Sequence, residues 1–248
     1  MSGGGLTVVR TVLRSLLIQG SWNTRTQIGN GFAWALAPVL RRVYAQNPDA
    51  LEAAVTRHAA PFNAHPYLAA LALAAVARME EEGEPSERIE RFKTALRGPL
   101  GALGDRLIWA RWLPLSLLCA SAAALRGAPW WAVAAGFLVL YNAGHLALRI
   151  WAARTGWQAG KDVGTRLRAA DLSRWSGRLG LPTAVASGVL LGAILGLALG
   201  GAATLWFPGV AVAALFALGV FVGERGARTG ARLAALVILM LSLVGWLS

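Results

Sequence analysis

Three short polar motifs interrupt an otherwise apolar chain: QGSWN at residues 19–23, FNAHPY at residues 62–67 and GPLGALGD at residues 98–105. In the first, Gln19, Ser21 and Asn23 bring hydrogen-bond donors and acceptors, and Trp22 brings a flat apolar face. A carbohydrate takes this combination, because its hydroxyls need bidentate polar partners and its ring face stacks on an aromatic. The same residues equally make a helix-ending turn with a Trp at a membrane surface. In the second motif Asn63 and His65 lie between a helix stopped by Pro61 and an apolar stretch. His65 either meets a ligand or donates within a packed turn. The third motif puts three Gly and one Pro into eight residues. Non-helical backbone at membrane depth survives only where protein or water lines it, so a re-entrant hairpin is expected. Asp105 is then a functional carboxylate or the cap of the next helix.

A fourth set lies inside an apolar segment. Asn142, His145 and Arg149 are spaced by three and four residues and share one helical face. Polar groups in a membrane span are costly, so this face should meet protein or a cavity. No nucleophile–base arrangement, paired carboxylates, phosphate loop or cofactor fingerprint is present, so no catalytic residue and no cofactor is expected. His58, His65 and His145 have no ligand spacing, and Cys119 is alone, so neither a metal site nor an intrachain disulfide is expected.

The elements that must position these residues belong to a membrane protein. Of 248 residues, 56% are hydrophobic and 15% charged, against about 25% charged in soluble domains. The 29 Gly and 11 Trp fit membrane helices and their interfacial anchors. The net charge of +12 suits cytoplasmic loops and anionic headgroups; nucleic acid is not an expected partner. No leader with a small-residue cleavage site is apparent, so the first residues are expected to stay on the mature chain.

Two regions are expected. Residues 1–106 read as short helices with the re-entrant motif, and residues 107–248 as a transmembrane helical region. Residues 6–20 are too short to cross about 30 Å of hydrocarbon, and Arg10 and Arg14 among leucines suit a helix lying in the interface. Residues 32–43 and 68–77 are also short. Asn47-Pro48 opens a helix that runs to about His58. The acidic run 80–90 should face water, with Pro85 opening a helix that stops at Gly98-Pro99. Spans are expected at 107–125, 130–151, 181–200, 205–222 and 233–247. The basic links 152–180 and 223–232 should be cytoplasmic and the C-terminus outside. Arg111, within the first span, must snorkel or face protein. Gly188, Gly192, Gly196 and Gly200 recur every fourth residue and form a groove for another helix, from a second subunit or from this chain.

In this order the motifs resemble the IID subunit of the mannose/fructose/sorbose family of the bacterial phosphotransferase system. The resemblance runs through LRSLLIQGSWN, GFAWALAP (31–38), HAAPFNAHPY (58–67), KTALRGPLGALGDRLIW (93–109) and NAGHLALRIWAARTGWQAG (142–160). It implies an all-α polytopic fold with short interfacial or re-entrant N-terminal helices, C-terminal spans and an elevator-like division into a moving core and a static part. It also implies a IIC membrane partner, a trimer of IIC–IID heterodimers, and a hexose-type sugar crossing the bacterial inner membrane through the pair. Soluble IIA/IIB components would carry the phosphoryl group, so His65 is not read as phosphorylated. Gln19, Ser21, Trp22, Asn23, Asn63, His65, Asp105 and Asn142 are the expected residues of the sugar path or the IIC contact. The sequence departs from the family at Ala64, Arg97 and Arg106. The two added cations leave a second expectation open: a regulatory or scaffold protein that keeps the fold without transporting.

Overall fold

The computed structural model describes residues 3–198, and these form helices and isolated bridges but no strand. They divide into two units. The first holds the chain up to Trp109 together with Asn142–Ser173; the second holds Ala110–Tyr141 and the described residues from Arg174 onward.

The first unit is built around α4 (Ala69–Glu81), whose residues 69–77 are all buried. Its run of alanines has high helix propensity and leaves neighbours room to approach closely. Helices α1 (Gly3–Ser15), α2 (Gly29–Val43) and α5 (Ser86–Gly104) pack on it, and α3 (Pro48–Ala59) packs on α2. Asn47 caps α3 as expected: its Oδ1 accepts from the Ala50 amide at 3.0 Å, and Pro48 stands in the first turn.

Helix α1 is amphipathic in the reverse of the soluble sense. Thr7, Thr11 and Ser15 are buried, while Leu6, Val9 and Leu13, followed by Leu16 and Leu17, are exposed. Small polar residues make the packing face and leucines face outward, as lipid surroundings favour. This is the expected interfacial helix.

The hairpin expected at residues 98–105 is corrected. Helix α5 runs unbroken through Gly98, Pro99 and Gly101 to Gly104. Gly98 and Gly101 have open space where a Cβ would stand, so nothing there requires a turn. Gly104 has a different purpose: a Cβ would collide with the His65 ring. The helix then continues as a wider π-helix, Asp105–Trp112. Prolines at 99 and 114 withdraw amide donors on either side of this turn, so a looser ladder is a physically reasonable response. Asp105 therefore sits within continuous helix and caps nothing.

In the second unit α6 (Leu113–Leu125) follows the π-helix, and α7 (Trp130–Ala159) opens with the exposed pair Trp130 and Trp131. From Asn142 on, α7 belongs to the first unit, where Ala152, Ala153 and Gly156 are buried; Gly156 lies against the Leu71 carbonyl of α4. The link expected at 152–180 is itself helical: a 3₁₀ turn (Gly160–Asp162), α8 (Val163–Ala169) and the start of α9 (Leu172–Ala198). Two helical stretches, Ser86–Leu125 and Trp130–Ile194, are long and apolar enough to cross a membrane. The spans expected at 205–222 and 233–247 and the link 223–232 lie outside the described residues, as does Gly200. Gly188 and Gly192 are buried on α9.

Candidate functional site

Two of the sequence motifs meet through backbone. The loop after α1 carries QGSWN, and the loop after α3 carries FNAHPY. The Ile28 amide donates to the Phe62 carbonyl at 3.2 Å, and the Phe62 amide donates to the Thr26 carbonyl at 3.3 Å. Gln27, between them, takes φ +56°. Asn23 holds the first loop in shape. Its Oδ1 accepts from the amides of Arg25 (3.0 Å) and Thr26 (2.8 Å), and its Nδ2 donates to Thr26 Oγ1 at 2.8 Å. This is an Asx-type turn, so the Asn23 amide is used within the loop. Gln19, Ser21, Trp22 and Asn63 are exposed around it.

His65 points inward and is 2% exposed. Its Nδ1 accepts from the Tyr67 amide at 3.3 Å, which leaves the proton on Nε2. That Nε2 is buried and has no hydrogen-bond partner among the described residues. The ring lies 5.3 Å from the Trp109 ring and 4.9 Å, edge-on, from Tyr67. Burial, then the charge of Arg149, pushes the His65 pKa down to about 4, so the ring is neutral and Nε2–H is a fixed donor.

The polar face of α7 completes this cluster. His145 stacks on Tyr67 at 4.5 Å and pairs through Nε2 with Asn142 Oδ1 at 2.7 Å. The Arg149 guanidinium lies 5.0 Å from the Tyr67 ring and donates to Ser15 Oγ at 2.7 Å. The face read from spacing alone thus meets protein, as expected. Sequence reasoning missed Trp109, whose place opposite His65 follows only from α5 continuing unbroken. Asp105 is exposed.

A match to the model of the PTS system mannose/fructose/sorbose family IID component covers residues 6–183. The chain belongs to this family. The IID chain is 31% identical over 156 residues to the PTS system mannose-specific EIID component of Escherichia coli K12, covering 61% of this chain and 54% of that one. It is 30% identical to the PTS system sorbose-specific EIID component of Klebsiella pneumoniae over 63% of this chain and 58% of the relative. It thus spans about half the length of the curated relatives it matches. Among solved structures, one described as a membrane protein aligns with a TM-score of 0.66 at 27% identity, over 75% of this chain and 69% of the other. A chain of the mannose transporter ManYZ in complex with microcin E492 aligns with a TM-score of 0.59 over 97% of this chain and 95% of the other; at 22% identity it shows the fold.

The IID chain holds a second buried polar cluster that the sequence did not reveal. Glu80, expected to face water, has a side chain only 1% exposed. Its Oε1 accepts from Arg57 and from His58 Nε2, both at 2.7 Å, and its Oε2 accepts from the Tyr44 hydroxyl at 2.7 Å. Lys93 reaches in from α5, donating to the Arg57 carbonyl at 3.2 Å and lying 3.5 Å from His58 Nδ1. Burial alone would raise the Glu80 pKa, but the hydrogen bonds from His58, Tyr44 and Arg57 outweigh it and hold the group at about 2. Burial pulls His58 down to about 4, and burial raises the Tyr44 hydroxyl. The available signal was register: Leu73, Val76, Ala77 and Glu80 share one face of α4, so an acid on that stripe had to be buried and paired.

Proposed function

We propose that this IID chain is a membrane subunit of a phosphoenolpyruvate-dependent sugar permease, and that its His65 cluster faces the sugar path or the IIC contact. The observation that carries this reading is the His65 Nε2–H: a neutral, buried donor without an acceptor among the described residues, held between Trp109 and Tyr67. Leaving such a donor unmet costs roughly 1–3 kcal/mol. A sugar hydroxyl or a partner carbonyl would remove that cost, and the adjoining aromatic rings offer a surface for a sugar face. Gln19, Ser21 and Trp22 sit on the neighbouring, backbone-joined loop, Asn63 sits on the loop of His65 itself, and all four are exposed to the same class of ligand. The names of the relatives, specific for mannose or sorbose, favour a hexose-type sugar.

In this reading the IID chain pairs with a IIC chain in the bacterial inner membrane, and the pairs form a trimer. Phosphoryl transfer belongs to separate IIA/IIB components, and no residue here is phosphorylated. Arg97 and Arg106 are both exposed, and Arg106 turns back on the Ala102 carbonyl, so neither fills the His65 cluster. Asp105 and Asn142 take places at the edge of the path.

The test is uptake in cells carrying the chain with its co-purifying IIC partner. His65→Ala should reduce uptake by roughly 10- to 100-fold, the worth of about one or two tenfold steps of binding energy, with membrane levels unchanged. His65→Gln, which keeps a donor, should retain more. Trp22→Ala and Asn63→Ala should each lower uptake less. Wild-type uptake by His65→Ala would remove the assignment, and purification without a IIC-like partner would remove the permease reading itself.

A further inference from the structure

A groove of about 420 Å³ lies open between α2 and α3. Its α2 wall is Asn30, Ala33, Trp34, Ala37 and Arg41, and its α3 wall is Leu51, Val55 and Ala59. These positions form one stripe on each helix, at spacings of three and four. Residues 33–41 extend about 12 Å along α2 at 1.5 Å per residue. Ala33 and Ala37 carry nothing beyond Cβ, so the stripe is a shallow apolar channel, of a length and shape that suit part of an acyl chain.

One edge of the groove is strongly basic. The Arg14 guanidinium, from α1, stacks 3.7 Å from the Trp34 ring centroid and donates to the Trp34 carbonyl at 2.6 Å. Its Nε is buried without a partner. Arg41 is near enough that its charge, after burial, makes Arg14 hold its proton less tightly. Arg10 lies one turn before Arg14 and is exposed. Among the described residues no carboxylate forms an ion pair with Arg10, Arg14 or Arg41. Other cations of the same unit do have one: Arg42 with Glu81, Arg57 with Glu80, Arg88 and Lys161 with Glu84. Two guanidinium groups that repel each other at an apolar groove are stabilised by an anion between them. The exposed Leu6, Val9 and Leu13 give α1 the outward apolar face of a helix suited to a lipid surface.

We propose that the α2–α3 groove binds one acyl chain of an anionic phospholipid, with its phosphate held by Arg14 and Arg41. The occupant follows from the charge: the mouth carries cations without counter-ions, and the channel behind it is apolar. A phosphatidylcholine headgroup offers the same phosphate but brings its own cation to a site already positive.

The experiment uses the full chain, with whatever partner co-purifies, delipidated and then titrated with phosphatidylglycerol or phosphatidylcholine, bound lipid being counted by native mass spectrometry. Phosphatidylglycerol should be retained roughly 30-fold more tightly, taking about 1 kcal/mol for each of two arginines. Arg41→Gln, a change at an exposed position that leaves the fold intact, should remove most of this preference. Ala37→Trp should block the channel and lower retention of both lipids. Arg97→Gln, an exposed cation on α5, should change nothing. Equal retention of the two lipids, or a preference untouched by Arg41→Gln, would overturn the proposal. Competition by glycerol phosphate as effective as by the intact lipid would show that the groove holds no chain, and lipid retained only after a co-purified IIC partner is removed would show that a protein is the occupant; either would overturn it. None of these outcomes depends on sugar uptake.

Discussion

The two buried polar clusters of the first unit are opposites in how completely they are satisfied. Around Glu80, both carboxylate oxygens and both His58 nitrogens have partners, and the exception is Arg57 Nε. Around His65, the central donor is unmet. The same loop links them: Phe62 packs against Phe32, rings tilted at 53° with centroids 4.7 Å apart, beneath Lys93, while three residues later His65 faces Tyr67 and Trp109. A closed network fixes α3, α4 and α5 to one another, whereas an open one leaves a group for something outside the chain. The comparison separates a residue conserving shape from a residue awaiting a partner, using burial and hydrogen bonds alone.

The largest effect should come from opening the closed cluster. Glu80→Ala leaves Arg57 and the buried His58 without their acid, and breaking a buried ion pair from one side typically costs about 3–5 kcal/mol. Thermal unfolding in detergent should show a clear loss for Glu80→Ala and a smaller one for His65→Ala, which loses the packing of its ring and the bond from the Tyr67 amide but leaves no charge unpaired. Equal losses would erase the distinction between the two clusters.

Acid should act on the same cluster. His58 has a folded pKa of about 4 against 6.5, so its neutral form stabilises the fold above pH 6.5. That contribution falls as pH drops from 6.5 toward 4. Glu80, at about 2 against 4.5, contributes above pH 4.5 and loses its share between 4.5 and 2. Stability should therefore decline in two overlapping stages below pH 6.5, and His58→Gln should shrink the upper stage to the share of His65, whose folded pKa is also about 4. A flat profile between pH 6.5 and 4.5 in the wild type would contradict the neutral His58 assignment.

How much of this was legible in the sequence depends on whether the deciding contact was local. The Asn47 cap, the outward leucines of α1 and the shared face of Asn142, His145 and Arg149 are encoded by spacing within one helix, and they were readable. Glu80 was not, because it opens the acidic run at 80–84 and its partners lie 22 to 36 residues away. The hairpin was misread because Gly and Pro are ambiguous in membrane helices, where they break the backbone or admit a neighbour. At Gly104 the neighbour is His65, and only the fold brings it there.

That position gives a smaller but more discriminating effect. Gly104→Ala keeps a good helix former in α5 and would by propensity gain about 1 kcal/mol. The added methyl meets the His65 ring, however, and overpacking typically costs about 1–3 kcal/mol. The collision is with the His65 Cβ and Cγ rather than a flexible tip, so its cost outweighs the propensity gain by roughly 1–2 kcal/mol, less than the loss expected for Glu80→Ala. The ring cannot stay where it is, and its Nε2–H must turn away from its present direction. Uptake should fall toward that of His65→Ala while the melting temperature falls less than for Glu80→Ala. Gly101→Ala, in the same helix with open space around it, should gain the propensity and leave uptake alone. If both glycine variants transport like the wild type, the exact placement of His65 has no bearing on function; if only Gly104→Ala fails, the helix expected to be a hairpin is what holds the histidine in register.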